Sequence, residues 1–145
     1  YKHRADLTVE RAISPLLAET PLPWADTDAL CPLPVHWRRR WRRGFDQGAH
    51  LAHLMGRYWQ RPVLPALLRQ RATPSQQGLT RRQRQRNLRK AFECQRPVSG
   101  LRLILVDDVM TTGSSARAAA QCLLDHGAAD VRVWTLARTL GHRRD

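Results

Sequence analysis

Two adjacent carboxylates, Asp107 and Asp108, end an apolar run in the stretch LILVDDVMTTGSS and are followed by a hydroxyl-rich loop. The loop residues are Thr111, Thr112, Gly113, Ser114 and Ser115. Small residues that lead into a helix N-terminus offer successive backbone N–H groups and a positive dipole end, which together favour a phosphate. Because Gly113 has no Cβ, the backbone can approach the anion closely. The stretch therefore predicts a phosphate-binding loop.

The two acids require a different partner from the loop. Carboxylates that touched the same phosphate would repel it. We therefore expect Asp107 and Asp108 to face a hydroxyl-bearing or metal-bearing part of the ligand, and a sugar phosphate meets both demands. The sequence contains no G-x-x-x-x-G-K-[ST] pattern and no G-x-G-x-x-G after a strand, which disfavours nucleoside triphosphates and dinucleotides as ligands.

Basic charge is concentrated in the middle of the chain. The net charge is +13, and residues 37–102 hold sixteen arginines and one lysine against only Asp46 and Glu93. The planar guanidinium suits phosphate oxygens, so phosphates, pyrophosphate or a nucleic-acid backbone are the expected partners. For any single arginine, a solvated basic face is the alternative interpretation.

The loop needs a strand before it and a helix after it. Leu101 to Val106 is a continuous apolar run, typical of a strand that is covered on both faces in a parallel sheet. A helix is predicted over Ser115 to His126, stopped by Gly127, and a second strand over Val131 to Ala137. This order predicts a right-handed βαβ unit, with the loop at the carboxyl end of a parallel strand, where open α/β sheets bind ligands.

The rest of the chain supplies further elements of an α/β fold. We predict a helix over Thr8–Glu19, kinked or split by Pro15, and a strand over Ala29–Leu33. A helix N-capped by Asp46 has the buried stripe Leu51, Leu54, Met55 and Tyr58. A strand is predicted over Pro62–Leu68, and a capping box of Thr80 and Gln83 begins a basic helix that ends at Phe92.

These elements predict three layers, a mostly parallel twisted sheet with helices on both faces, in a single domain of 145 residues. No apolar run approaches the roughly 20 residues that a membrane helix needs, so no membrane partner is expected. Cys31, Cys94 and Cys122 form no C-x-x-C pair, which argues against disulfides and a thiolate metal site and predicts a reducing cytoplasm. Since the chain starts at Tyr1 without a targeting pattern, we expect it to be a piece of a longer protein.

The strand with VDDVMTTGSS resembles the phosphoribosyl-pyrophosphate loop of type I phosphoribosyltransferases. Three further stretches resemble the ComF/GntX family: CPLPVHWRRRWRRGFDQ, RQRATPSQQGLTRRQRQRNLRKAF and GAADVRVWTLART. The resemblance covers most of residues 1–139. The cysteine-rich, zinc-binding segment that family members carry ahead of this region is absent, and Asp46 stands where they usually have Asn.

The resemblance implies roles for individual residues. Asp107 and Asp108 would hold the ribose hydroxyls, and Thr111 to Ser115 the 5′-phosphate. Mg²⁺ would bridge the pyrophosphate and the ribose without a direct protein ligand. Pyrophosphate contacts are expected from the loop after the first strand and from the basic helix, namely Arg38, Arg39, Arg40, Arg42, Arg43, Arg84, Arg86 and Asn87.

The expected domain map is an N-terminal helical segment at 1–26, a core at 27–139, and a mobile basic loop and helix at 70–92 that closes over the site. Enzymes that act on 6-oxopurines resemble this motif but have Asp where Thr111 stands. Because a threonine hydroxyl is no general base at neutral pH, that chemistry is disfavoured.

Two functional hypotheses follow. In the first, the protein binds phosphoribosyl pyrophosphate, or another ribose phosphate, and transfers ribose 5-phosphate to an unidentified acceptor. In the second, it is a non-catalytic protein of competence or DNA utilisation that binds single-stranded DNA, or DNA-uptake proteins, through its arginine-rich surface, with strong salt dependence. A homodimer is a further expectation for either.

Overall fold

The computed structural model describes residues 2–34, 46–70, 78, 80–83, 86, 90–110 and 113–138. The helices are α1 (Lys2–Glu19), α2 (Gln47–Trp59) and α3 (Ser114–Asp125). The strands are β1 (Ala29–Pro32), β2 (Leu67–Arg69), β3 (Phe92–Cys94), β4 (Arg102–Met110) and β5 (Asp130–Arg138). Within this part of the chain, no helix has the length and apolar character needed to cross a membrane.

The central sheet is parallel. Its strands lie in the order β1, β4, β5, with Cys31 opposite Leu105 and Leu105 opposite Val133. An isolated parallel bridge joins Leu30 to Val63. The predicted strand, helix, strand unit is confirmed, because β4 and β5 are adjacent and parallel with α3 between them in the chain.

Strand β4 is covered on both faces, as its unbroken apolar sequence predicts. Leu103 and Leu105 are buried in one cluster with residues of α3 such as Leu123. Ile104 and Val106 are buried in a second cluster with residues of α1 and α2. This alternation follows from the two-residue period of a strand and confirms the predicted three-layer α/β architecture.

Helix α2 begins where the sequence predicts. The Asp46 side chain accepts a hydrogen bond of 3.0 Å from the Ala49 N–H, which confirms the N-cap. The buried stripe is wrong at its last member: Tyr58 is 43 % exposed, whereas Trp59 is 6 % exposed. The Trp59 indole N–H reaches the Thr20 carbonyl at 3.0 Å, so contact with the end of α1 selects the neighbouring residue for burial.

Helix α1 is longer than predicted and is not split. It starts at Lys2 and continues through Pro15 to Glu19 as one element. Ile13 and Leu17, on either side of the proline, are both buried in the cluster shared with α2. Packing of this apolar face therefore holds the helix together across the hydrogen bond that proline removes.

The predicted strand at Pro62–Leu68 is divided between two sheets. Val63 forms the bridge to β1, while β2 pairs with β3 in a separate antiparallel sheet. The capping box is confirmed, since Thr80 and Gln83 exchange hydrogen bonds of 2.9 and 3.2 Å. The predicted end of the basic helix is wrong, because Phe92 opens β3 and its ring is buried in the core.

Candidate ribose and phosphate site

The acid pair lies inside β4 rather than in the loop after it. The register between β4 and β5 keeps the same offset from Arg102 opposite Asp130 to Met110 opposite Arg138, with Asp107 opposite Thr135. A regular strand points successive side chains to opposite faces. Asp107 therefore continues the face of Leu105, toward α3, and Asp108 continues the face of Val106, toward α2. Both acids are half-buried. Because they lie on opposite faces of the strand, they flank its end and do not project side by side.

Gly113 begins α3 in a conformation that suits glycine. Its φ is 79° and its ψ is 1°, which is the left-handed region, and it occupies the N-cap position without a side-chain cap. Ser114 and Ser115 follow as the first helical residues and are half-buried. The first turn of α3 contains no acidic residue. This N-terminus therefore has the backbone donors and the dipole that favour an anion.

The same sheet edge receives the N-terminus of α2. The Leu33 N–H donates to the Val106 carbonyl at 2.9 Å. The chain after β1 therefore leaves the sheet beside Val106, where the buried part of β4 ends. Asp46 caps α2 close by, because a Cβ placed on Gly48 would lie 3.4 Å from Asp46 Oδ1 and 3.6 Å from the Leu33 carbonyl oxygen. Leu33 and Asp46 therefore both lie at the carboxyl edge of the sheet.

The structure places some of the predicted site residues at this edge. Asp107 and Asp108 lie on β4, and Gly113, Ser114 and Ser115 open α3. Arg86 is exposed in a helical conformation. The remaining predicted contacts lie outside the described residues: Arg38, Arg39, Arg40, Arg42, Arg43, Arg84, Asn87, Thr111 and Thr112.

Arg117 is a residue at this edge that the sequence interpretation missed. Its Nη2 lies 3.7 Å, and its Nε 3.9 Å, from the position that a Cβ on Gly113 would take. Its backbone N–H donates to the Gly113 carbonyl at 2.9 Å. Helical side chains tilt toward the N-terminus, so the residue four positions after a helix-opening glycine covers that glycine. The four-residue spacing of Gly113 and Arg117 in the sequence is the pattern that would have indicated this contact.

At the opposite, amino edge of the sheet, two arginines contact other groups of the protein. Arg61 donates through Nε to the Thr27 carbonyl at 2.8 Å and through Nη2 to the Ala25 carbonyl at 3.2 Å. Arg132 pairs with Asp130 at 2.8 Å, and its guanidinium carbon lies 5.1 Å from the Trp24 ring centre. Both guanidinium groups are therefore bound by groups of the protein itself.

Two of the three cysteines, Cys31 and Cys122, are buried in the core and are not activated. Cys31 and Cys122 are buried in one cluster, and Cys94 packs against it. Burial raises the pKa of the Cys31 thiol to about 11 and also raises the pKa of Cys122. Thiols that stay protonated at neutral pH are poor nucleophiles and poor metal ligands. In the part of the chain that the structure describes, no group of three His, Cys, Asp or Glu residues could hold a metal ion.

A parallel strand that carries an acid pair and leads through a glycine loop into a helix defines an α/β domain with a candidate ligand site at the carboxyl edge of its sheet. The chain is 46 % identical over 124 residues to the DNA utilization protein YhgH of Salmonella typhi, covering 83 % of this chain and 52 % of that protein. It is 34 % identical over 115 residues to competence protein F of Haemophilus influenzae, covering 77 % of this chain and 50 % of that protein.

Competence protein ComFC of Bacillus subtilis is 34 % identical over 113 residues, covering 76 % of this chain and 44 % of that protein. The chain is a homologue of these proteins, and the resemblance to the ComF/GntX family is confirmed. It spans about half the length of the curated relatives that it matches. No protein-family model matches it.

Solved structures show a weaker likeness. Hypoxanthine phosphoribosyltransferase from Trypanosoma cruzi in complex with IMP aligns with 99 % of this chain and 68 % of its own, at a TM-score of 0.47 and 12 % identity. Purine phosphoribosyltransferase from Pyrococcus horikoshii aligns with 94 % of this chain and 71 % of its own, at a TM-score of 0.43 and 12 % identity. The α/β architecture of this chain rests on its own strand order and register.

Proposed function

We propose that this domain binds phosphoribosyl pyrophosphate together with Mg²⁺. The observation that carries the proposal is the direct succession, at the carboxyl edge of the sheet, of an acid-bearing strand and a helix opened by a left-handed glycine. In this arrangement Asp107 and Asp108 accept hydrogen bonds from the ribose hydroxyls. The N–H groups of the first turn of α3 bind the 5′-phosphate.

The acids present fit a magnesium ion that the ligand brings with it. Mg²⁺ prefers oxygen ligands and keeps several waters, so it is often bound by one or two carboxylates and substrate phosphates. Asp107 and Asp108 are the acids that β4 carries, and they would reach the ion through its waters or through the ribose hydroxyls. When bound, Mg²⁺ would supply positive charge that stabilises the departing pyrophosphate.

The reaction that this site supports is transfer of ribose 5-phosphate. The bond between C1 and the pyrophosphate oxygen breaks, and a bond from C1 to an acceptor nucleophile forms. The chain's own residues contribute positioning: the acids orient the ribose from the two sides of β4, and the first turn of α3 fixes the phosphate end. Thr111 disfavours a 6-oxopurine as the acceptor.

A second candidate function is binding of single-stranded DNA through the basic segment between β2 and β3. The observation in its favour is that Arg81, Arg82 and Arg86 all have exposed side chains. The printed names of the relatives, a DNA utilization protein and competence proteins, agree with a DNA-related role. Exposed arginines that follow a phosphate backbone release counterions on binding, so affinity falls as salt rises.

Calorimetry with phosphoribosyl pyrophosphate and Mg²⁺ tests the first function. The double variant Asp107→Asn, Asp108→Asn removes two charged acceptors, each worth about 1.5–3 kcal/mol, so we expect affinity to fall roughly a hundredfold or more. The matched control, Asp26→Asn with Asp130→Asn, removes the same charge at the amino edge and should bind like the wild type. Equal affinity in the wild type and the β4 double variant would contradict the proposal.

Titration of fluorescent single-stranded DNA over a range of salt tests the second function. Affinity should fall steeply between low and physiological salt. It should weaken further when Arg81, Arg82 and Arg86 are changed to Gln, and again when Arg38 to Arg43 are changed. A flat response to salt would rule out backbone binding by these arginines.

A further inference from the structure

The guanidinium of Arg117 lies over the glycine that opens α3. Its Nη2 is 3.7 Å and its Nε 3.9 Å from the position that a Cβ on Gly113 would occupy. Two of the three guanidinium nitrogens therefore lie beside the N-terminal turn that the proposed function assigns to the phosphate. The side chain is exposed to solvent, so a ligand can reach it.

This position is electrostatically unfavourable for a cation in the absence of a ligand. The N-terminus of a helix carries a partial positive charge, so a nearby cation destabilises it. No acidic residue occurs in the first turn of α3 to compensate. Among the described residues, Arg57, Arg102 and Arg132 form ion pairs, and no ion pair is found for Arg117. An anion would satisfy both the guanidinium and the helix end.

A guanidinium and a set of backbone amides together select a particular anion. Backbone N–H groups bind any anion of suitable size, but a planar fork adds paired, charge-assisted hydrogen bonds to a group with several oxygens and a full negative charge. A terminal phosphomonoester presents three oxygens and a charge of about −2 at neutral pH. It therefore fits Arg117 and the first turn of α3 at the same time.

We propose that Arg117 is a side-chain anchor for the terminal phosphate of the ligand, in addition to the backbone and hydroxyl donors of the loop. The proposal rests on the proposed function, since it adds a residue to the same site. It makes the site specific for a sugar with a terminal phosphate and leaves the pyrophosphate end to other residues.

The test uses ribose 5-phosphate and Mg²⁺-pyrophosphate as separate probes, each titrated into the wild type and Arg117→Met. We expect the variant to bind ribose 5-phosphate roughly tenfold to a hundredfold more weakly, which corresponds to the loss of charge-assisted hydrogen bonds. Its affinity for pyrophosphate should stay within twofold of the wild type. Arg117→Lys, which keeps the charge but not the fork, should restore part of the loss.

Arg11→Met is the matched control, because it removes one exposed arginine of α1 and the same unit of net charge. It should bind both probes like the wild type. The thermal midpoint of ligand-free Arg117→Met should equal or exceed that of the wild type, since the variant removes a cation from a helix N-terminus.

Three results would overturn the inference, and they separate it from the function on which it rests. If Arg117→Met binds ribose 5-phosphate as the wild type does, Arg117 is not an anchor, while the function stands. If the variant loses both probes equally or unfolds at a lower temperature, Arg117 has a structural role. If the wild type itself binds neither probe nor phosphoribosyl pyrophosphate, the proposed function fails, and this inference with it.

Discussion

The two edges of the parallel sheet differ in the partners that their charged residues contact. At the amino edge, Arg61 is bound by backbone carbonyls, and Arg132 is bound by carboxylates and an aromatic ring. At the carboxyl edge, Asp107 and Asp108 flank the end of β4, and Arg117 lies over the opening of α3 without a carboxylate partner among the described residues. This difference agrees with the proposed ligand site at the carboxyl edge, where open α/β sheets bind ligands.

This contrast predicts that substitutions at the amino edge change stability and leave ligand affinity unchanged, whereas those at the carboxyl edge change affinity. The largest effect on stability is expected at Arg61, whose guanidinium reaches carbonyls of the chain segment before β1 and of the end of α2. Arg61→Ala leaves these carbonyls without their donor and should lower the free energy of unfolding by about 2–3 kcal/mol.

Urea unfolding followed by circular dichroism measures this change. Arg57→Ala is the control, because the Arg57 pair with Glu10 lies on the surface at 3.2 Å and should contribute less than about 1 kcal/mol. Similar losses in the two variants would remove the distinction between a structural arginine at the amino edge and an ordinary surface arginine.

The next prediction concerns the core between the two edges. It is a pH dependence of the free energy of unfolding. Burial raises the pKa of the Cys31 thiol from 9.0 to about 11. The unfolded chain therefore loses this proton near pH 9 while the folded protein keeps it to about pH 11. Stability that is fully present below pH 9 should fall by about 2–3 kcal/mol as the pH rises to 11.

Denaturant titrations at pH 8 and pH 11 on the wild type and Cys31→Ala isolate this effect. The variant lacks the thiol, so its stability should decline less between the two pH values. Equal declines would mean that the Cys31 thiol ionises in the folded protein as readily as in the unfolded chain.

Gly113→Ala probes the carboxyl edge with a smaller change. A non-glycine residue in the left-handed region costs about 1–2 kcal/mol, and the added methyl would contact Met110 Sδ at 3.5 Å and the Arg117 guanidinium at 3.7 Å. We expect a loss of about 1–2 kcal/mol in unfolding free energy together with weaker binding of ribose 5-phosphate. Gly100→Ala, also at positive φ but with open space around it, is the control that should affect stability alone.

The smallest effect is expected for Arg132→Met at the amino edge. The Arg132 side chain is 37 % exposed, so solvent screens its pairs with Asp26 and Asp130. Thermal unfolding should reveal a loss below about 1 kcal/mol, and calorimetry should give unchanged affinity for phosphoribosyl pyrophosphate. A large loss of affinity would show that the amino edge also takes part in binding.

Local rules predicted those parts of the fold in which a few neighbouring residues decide the outcome. The N-cap at Asp46, the capping box of Thr80 and Gln83, and the helix stop at Gly127 are confirmed by hydrogen bonds within a few residues. The buried run of β4 is confirmed as well. Such features need little information from distant parts of the chain.

The wrong predictions concern residues whose environment comes from elsewhere in the chain. Tyr58 and Trp59 both suit a buried helix face, and the end of α1 selects Trp59. Phe92 suits the end of a helix, but pairing with β2 makes it the start of a strand. The acid pair belongs to β4 because the ladder with β5 continues past Val106 to Met110. Packing and strand pairing override local preference in each case.

The residue types alone predict the chemistry proposed for the candidate site, because a glycine among hydroxyl residues beside an acid pair suits a phosphorylated sugar. They also predict that the strand before this loop is buried on both faces. The tertiary structure was needed to show which arginines bind groups of the protein itself and that the ladder with β5 extends β4 past the acid pair. These outcomes depend on strand register and helix packing, which join residues far apart in the chain.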